Sequence, residues 1–220
     1  MNDQALSFRG ESLRLLPSGA LHWPARQLLC VADLHLGKSD RIARRGGPML
    51  PPYETQETLD RLAQDIAATD PAEVVCLGDS FDDLAAAKDM AEALKTRLAS
   101  LMAGRHWIWV LGNHDPGPVD LGGTHLADHH AAPLVFRHIA EDGAEGEVSG
   151  HYHPKARISV RGRSLSRRCA LIDEARLILP AYGAYTGGLF CDRPDLSRLM
   201  SARAEAILLG SPPIRLPMPR

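Results

Sequence analysis

The chain has no C-x-x-C pair and no clustered thiols. Its four cysteines, Cys30, Cys76, Cys169 and Cys191, are scattered along 220 residues. Three lie in apolar, strand-like runs, where buried free thiols are expected. This usage fits a reducing, cytoplasmic compartment rather than a disulfide framework. Long apolar runs are also missing. The longest, such as Leu28 to Ala32 and Ala206 to Leu209, are far too short to cross a bilayer. The opening Met-Asn-Asp-Gln has neither a basic stretch nor an apolar one, so no signal peptide is expected. Charge of one sign is not in excess: 25 Lys and Arg face 27 Asp and Glu, a net charge of -2. A global pull toward nucleic acid or an anionic membrane is thereby excluded, and any polyanion site must come from local clustering. No repeat, low-complexity tract or linker divides the chain, and one domain over residues 1–220 is expected.

Histidine is the residue in unusual supply. Most of the ten lie between His106 and His153, several beside Asp, Asn or Gly. Their setting follows from a coarse reading of the elements. Short strands are predicted over Leu6 to Arg9, Ser12 to Leu16 and Ala20 to Trp23, separated by turn residues. Buried strands are predicted over Gln27 to Ala32, Glu73 to Leu77, Trp107 to Leu111, Pro133 to Arg137 and Glu147 to Ser149. Helices are predicted over Thr55 to Ala68, where Leu59, Leu62 and Ile66 have helical spacing, and over Leu84 to Met102. Later strands are expected over Arg157 to Val160, Ser164 to Ile172 and Arg176 to Leu179. The proline-rich C-terminal tail reads as edge strand or irregular. Early βαβ units and late hairpins together predict an α/β sandwich of two mixed sheets flanked by helices.

Each of the five buried strands ends on a residue able to ligate a metal. In order these are Asp33 with His35, Asp79, Asn113, His138, and His151 with His153. Strand C-terminal ends are where open α/β sheets place ligands. If the triplets Asp33-Leu34-His35 and His151-Tyr152-His153 are extended, each sends two side chains the same way. Gly78, Gly112 and Gly150 precede candidate ligands and remove bulk beside them. Seven oxygen and nitrogen donors exceed the four that one tetrahedral ion takes, and suit two ions sharing a carboxylate. Mixed imidazole, carboxylate and carboxamide donors without thiolate favour Mn, Fe or Zn over Ca.

These blocks resemble the calcineurin-like metallophosphoesterase superfamily. The matching residues are Asp33-Leu34-His35, Gly78-Asp79-Ser80-Phe81-Asp82, Gly112-Asn113-His114-Asp115, His138 and Gly150-His151-Tyr152-His153. The resemblance implies the two-sheet sandwich and assigns the ligands. One cation would be held by Asp33, His35, Asp79 and His153. The other would be held by Asp79, Asn113, His138 and His151. For the fourth block His125, His129 and His130 compete with His138. His138 is preferred because it closes a strand a short distance before Gly150. The resemblance further implies hydrolysis of a phosphate ester by water activated between the cations. His114, one residue past the expected ligand Asn113, can face the substrate as general acid, and Asp82 or Asp115 can orient a ligand or acid histidine from behind.

A narrower resemblance spans nearly the whole chain. Ser7-Phe8-Arg9-Gly10, Leu21-His22-Trp23-Pro24, Ala32 to Lys38, Gly150 to Pro154 and Leu179 to Gly188 are similar to bacterial ligase-associated DNA-damage-response endonucleases. That clade implies a Mn-dependent nuclease on single-stranded DNA, working in repair alongside a DNA ligase and a helicase. One position departs from it: the clade commonly carries His where this chain has Asp82. Two basic clusters offer phosphate contacts. Lys38, Arg41, Arg44 and Arg45 follow the first block; Lys155, Arg157, Arg161, Arg163, Arg167 and Arg168 follow the last. Of these, Lys38, Arg161 and Arg163 are the chosen candidates for substrate phosphate, against the alternative of a solvated strand face. Tyr182 and Tyr185 offer rings either for base stacking or for packing in core and turn. The rival readings are a small-molecule phosphoesterase on the same fold and a non-catalytic interaction module.

Overall fold

Short apolar runs, some alternating and some unbroken, separated by Gly, Pro and Asp turns, become the strands of this chain. The computed structural model describes residues 3–51, 53–160 and 162–220. Arg161, one of the expected phosphate contacts, lies outside the described residues. The first half contains strands β1 (Gln4–Phe8), β2 (Glu11–Leu15), β3 (Leu21–Trp23) and β4 (Leu28–Val31), then helices α1 (Lys38–Arg44) and α2 (Glu54–Thr69). Strand β5 (Glu73–Leu77), helices α3 (Leu84–Asp89) and α4 (Glu92–Met102), and strands β6 (His106–Val110) and β7 (Thr124–Leu126) follow. The second half contains β8 (Asp128–Ala131), β9 (Leu134–Arg137), β10 (Glu147–Ser149), β11 (Lys155–Val160), β12 (Arg163–Ile172) and β13 (Arg176–Ile178). Helix α5 (Pro194–Ser197) and strands β14 (Glu205–Leu208) and β15 (Ile214–Pro217) complete it.

Two mixed sheets result, in the orders β1-β2-β3-β4-β5-β6-β7 and β15-β14-β12-β13-β10-β9-β8, with β11 paired to β12. Neighbours β4, β5 and β6 run parallel, as do β9, β10 and β13. Strands β4 to β6 are covered on both faces, which is why they read as unbroken apolar runs. Cys30, Ala32, Val75, Leu77, Ile108 and Val110 meet Phe136, Val148, Ala170 and Leu177 of the other sheet. The intervening Leu29, Val31, Val74, Cys76, Trp107 and Trp109 pack on Leu59, Leu62 and Ile66 of α2 and Leu98 and Leu101 of α4. A third cluster, with Cys169, Leu171 and Ile178, covers the outer face of the second sheet.

The single helix expected over Leu84 to Met102 is two. The chain turns extended at Met90 (φ -54, ψ 134). Ala87, Met90, Leu98 and Leu101 keep helical spacing across the break and enter one core, so the apolar pattern alone does not mark it. The proline-rich tail supplies the edge strand β15, while β14 inside it is a full partner of β12. Among the described residues, no helix is long and apolar enough to cross a membrane.

Candidate metal centre

Strands β4, β5 and β6 end before Asp33, Asp79 and Asn113; β9 and β10 of the other sheet end before His138 and His151. All seven expected donors meet where these ends converge. The turns that aim them are left-handed. Asp33 (φ 54), His35 (φ 47), Asp79 (φ 46), His151 (φ 70) and His153 (φ 46) all adopt positive φ. The extended triplets expected from sequence are therefore corrected. Alternation alone would keep each chain moving away from its strand, whereas a left-handed residue at each donor curls the triplet over the strand ends. Such backbone costs about 1–3 kcal/mol per non-glycine residue and clusters at functional sites. Crossed backbone bonds hold it: the His35 N–H donates to the Asp79 carbonyl and the Leu36 N–H to Ser80, each at 2.9 Å. Gly78 and Gly150 are small because a Cβ would lie 2.5 Å from the His138 ring and 2.7 Å from Asp33 Oδ2.

Two groups of donor atoms form. In one, His153 Nε2 lies 3.3 Å from both His35 Nε2 and Asp33 Oδ1. In the other, His138 Nε2 lies 2.9 Å from Asn113 Oδ1, 3.2 Å from His151 Nδ1 and 3.4 Å from Asp79 Oδ2. Asp79 Oδ2 is also 4.0 Å from His35 Nε2, so it stands between the groups. His138 has already committed its Nδ1–H to the Leu77 carbonyl at 2.9 Å. Its Nε2 then faces three further electron-rich atoms, and one proton cannot bridge them all. A cation at each group would relieve this crowding of lone pairs, so the donors fit divalent metal. Burial lowers the His35 and His151 imidazoles below their usual values, keeping them neutral and able to donate lone pairs. Burial opposes charge on Asp79, but His138 and the backbone N–H of His114 bring its carboxyl down to about 2.

Three neighbours fix these donors. Asp115 accepts backbone N–H groups of Asp79, Ser80, Phe81 and Gly112 at 2.8–3.1 Å, tying two donor turns together. Asp82 Oδ1 lies 2.8 Å from His35 Nδ1, facing the ring nitrogen that points away from the donor group. Burial disfavours the Asp82 charge, yet His35, Arg41 and Lys38 hold its carboxyl well below the usual range. His114 Nδ1–H donates to the Asp82 carbonyl at 2.8 Å, which turns Nε2 toward Asp79 Oδ2, 4.0 Å away. His35, Asp82 and His114 make a third potential group. The Arg41 guanidinium at 2.7 Å and the Lys38 ammonium at 3.4 Å already neutralise Asp82 and would repel a cation there.

The competing histidines lie elsewhere. His125 Nε2 accepts the Val119 N–H at 3.1 Å and His129 pairs with Glu73 at 3.0 Å. Of the phosphate candidates, Lys38 borders the centre. Arg163 sits at the far end of the β11–β12 hairpin, opposite Val160 and roughly 17 Å of strand from Lys155. The first basic cluster is largely spent on ion pairs: Arg41 with Asp82, and Arg44 with both oxygens of Asp83. Sequence showed these arginines but not their partners, since Asp82 and Asp83 are forty residues away. Tyr182 is fully buried and donates its hydroxyl to Asp65 at 2.8 Å, which removes it from stacking. Also missed was the buried pair that seats α1 on α2, with Glu54 accepting the Ser39 N–H and hydroxyl. An acidic residue opening a helix was its only signal.

Residues 26–162 match the family described as calcineurin-like phosphoesterase, and the chain belongs to that family. The family binds divalent metals, and the chain is a phosphoester hydrolase. Among solved structures, it is similar to the crystal structure of Pseudomonas putida nuclease MPE. The two share 29% identity at a TM-score of 0.74, over 96% of this chain and 100% of that one. No curated protein matches the sequence.

Proposed function

We propose that this chain is a divalent-metal-dependent endonuclease that cleaves phosphodiesters of single-stranded DNA. The observation that carries this reading is Asp79 Oδ2 standing between two donor groups drawn from both sheets. Likeness to a nuclease along the whole length supports the substrate class. Asp33, His35, Asp79 and His153 would hold one cation; Asp79, Asn113, His138 and His151 would hold the other. Manganese fits a donor set with imidazole, carboxylate and carboxamide and no thiolate, and iron or zinc would also be accepted. When bound, the pair supplies Lewis acidity, lowering the pKa of water and neutralising charge on the phosphoryl oxygens.

The chain's own groups do the rest. In its imidazolium form, with Nδ1–H held on the Asp82 carbonyl, His114 would give its Nε2 proton to the departing sugar oxygen and return to neutral. Asp82 orients His35, and Asp115 keeps the Asp79 and Asn113 turns in register. Lys38, which also pairs with Asp82 at 3.4 Å, would meet a substrate phosphate. A repair setting in the cytoplasm, alongside a ligase and a helicase, suits four buried free thiols and the clade-like segments. The test is a panel on Mn-loaded protein: single-stranded DNA, duplex DNA, RNA, cyclic nucleotides and aryl phosphates. Preference for single-stranded DNA is expected. Turnover confined to cyclic nucleotides or monoesters would replace this reading with a small-molecule phosphoesterase, and no turnover at all with a binding module.

A further inference from the structure

Most large apolar side chains of this protein are buried, but Tyr185 is 43% exposed. Its backbone is left-handed (φ 58), which an aromatic residue adopts only when its surroundings compel it. The compulsion comes from both sides. Before it, the Tyr182 N–H donates to the Ala32 carbonyl at 2.7 Å and the Gly183 N–H to the Asp33 carbonyl at 3.1 Å. Gly183 lies so close to the Leu34 carbonyl that no side chain would fit. After it, Gly188 packs with equal closeness on the His153 carbonyl. Thr186 closes the arc by donating its hydroxyl to the Gly183 carbonyl at 3.0 Å. Residues 183–188 therefore run from the backbone of Asp33 to the backbone of His153, two donors of one group, and raise the Tyr185 ring at the crest.

The arc continues into a second aromatic. Backbone bonds between Lys155 and both Leu189 and Cys191 add residues 189–191 to β11 as a short extra strand. This seats the Phe190 ring under two cations, with Lys155 Nζ 4.6 Å and Arg157 Cζ 4.4 Å from its centroid. Neither has a carboxylate within ion-pair distance among the described residues, in contrast to Arg41 and Arg44. Lys155 and Arg157 alternate on β11 and so share a face. An exposed residue on the loop that spans two metal donors thus leads onto two unneutralised, aromatic-anchored cations.

Rings for base stacking beside cations for the backbone are the means by which proteins hold single strands. We propose that this rim is the single-strand track of the enzyme. Tyr185 stacks on a base beside the cleaved phosphate, and Lys155 and Arg157 hold phosphates further along. Duplex bases are stacked on each other and offer Tyr185 no face, so the residue selects single strands. This inference rests on the nuclease reading and names the residue behind its strand preference.

The test measures binding to Mn-loaded protein by fluorescence anisotropy, with phosphorothioate linkages in the probes so that cleavage is suppressed. The probes are a labelled oligothymidylate and a labelled duplex. Tyr185→Ala should weaken single-strand binding roughly 5- to 100-fold and leave duplex binding in place. Tyr185→Phe should keep wild-type affinity, because stacking uses the ring and not the hydroxyl. Arg157→Gln should lower the salt slope for the single strand by about 0.7 log units per log unit of salt. Unchanged single-strand affinity in Tyr185→Ala overturns the inference. So does parallel loss on single strand and duplex, which marks a structural role. A wild-type protein that binds neither probe would instead bring down the nuclease reading itself.

Discussion

His114 differs from its histidine neighbours in where its second nitrogen goes. His138 spends Nδ1 on a carbonyl and presents Nε2 to three donors, whereas His114 spends Nδ1 on Asp82 and turns Nε2 toward Asp79 Oδ2, 4.0 Å away. Its side chain is 28% exposed against 4% for His138. A partly exposed imidazole with one fixed nitrogen suits proton transfer better than ligation. His114→Ala should therefore cut DNA cleavage by about 10²–10⁴-fold, because a departing sugar alkoxide needs a proton. Hydrolysis of bis(p-nitrophenyl) phosphate should fall by less than about tenfold, since nitrophenolate leaves without one. Both rates and bound metal are to be measured on one preparation. Parallel loss of both activities together with metal would make His114 a ligand instead.

At this scale the sequence was informative about identity and silent about conformation. Asp33, Asp79, Asn113, His138 and His151 were legible as strand-end residues, because a strand buried on both faces reads as an unbroken apolar run. The left-handed turns were not legible. They are imposed by bonds such as His35 N–H to the Asp79 carbonyl, between segments forty residues apart. The choice of His138 over His125 and His129 likewise rested on strand position. What seats His138 beside Asn113 is the parallel pairing of β9 with β10, together with its bond to the end of β5.

Among elements, the short helices behind the centre are the ones that position it, and they were the hardest to read. Helix α1 is seven residues, charged and only lightly buried, so it has no apolar stripe to betray it. Helix α3 starts at Asp83, whose carboxylate accepts the Ala86 N–H at 2.7 Å and also receives Arg44 of α1. One side chain therefore caps α3 and links it to α1. Burial disfavours its charge, but the Ala86 N–H and Arg44 together hold the carboxyl below its usual value. Asp83→Ala should cost ~1 kcal/mol through the lost cap. Arg44→Ala should cost less than Asp83→Ala, because an exposed ion pair contributes only about 0–1 kcal/mol. Urea unfolding of the two variants gives the order. Equal losses would place the value of Asp83 in the ion pair and not in the cap.

Across the whole molecule, the donors join what the core only stacks. Asp33, His35, Asp79 and Asn113 belong to one sheet, and His138, His151 and His153 to the other. Without a cation, this edge of the interface brings electron-rich atoms within 2.9–3.4 Å of each other. Strained left-handed backbone at five of the donors adds to the cost. The edge should therefore be the weakest part of the metal-free fold and gain most from metal. A ligand that binds only the folded chain stabilises it by ~2.7 kcal/mol at one hundred times its Kd. For a chain of this size each kcal/mol moves Tm by about 2–4 °C. Manganese added to chelator-treated protein should thus raise Tm by roughly 5–10 °C. Asp79→Asn, which weakens the donor between both groups, should lose most of that rise while its metal-free Tm stays near wild type. Calorimetric scans with and without manganese decide the matter. If the wild type gains nothing, the clustered donors are a polar seam between two sheets and not a metal centre. If Asp79→Asn gains as much as the wild type, the groups do not share Asp79, and the bridging role passes to another carboxylate.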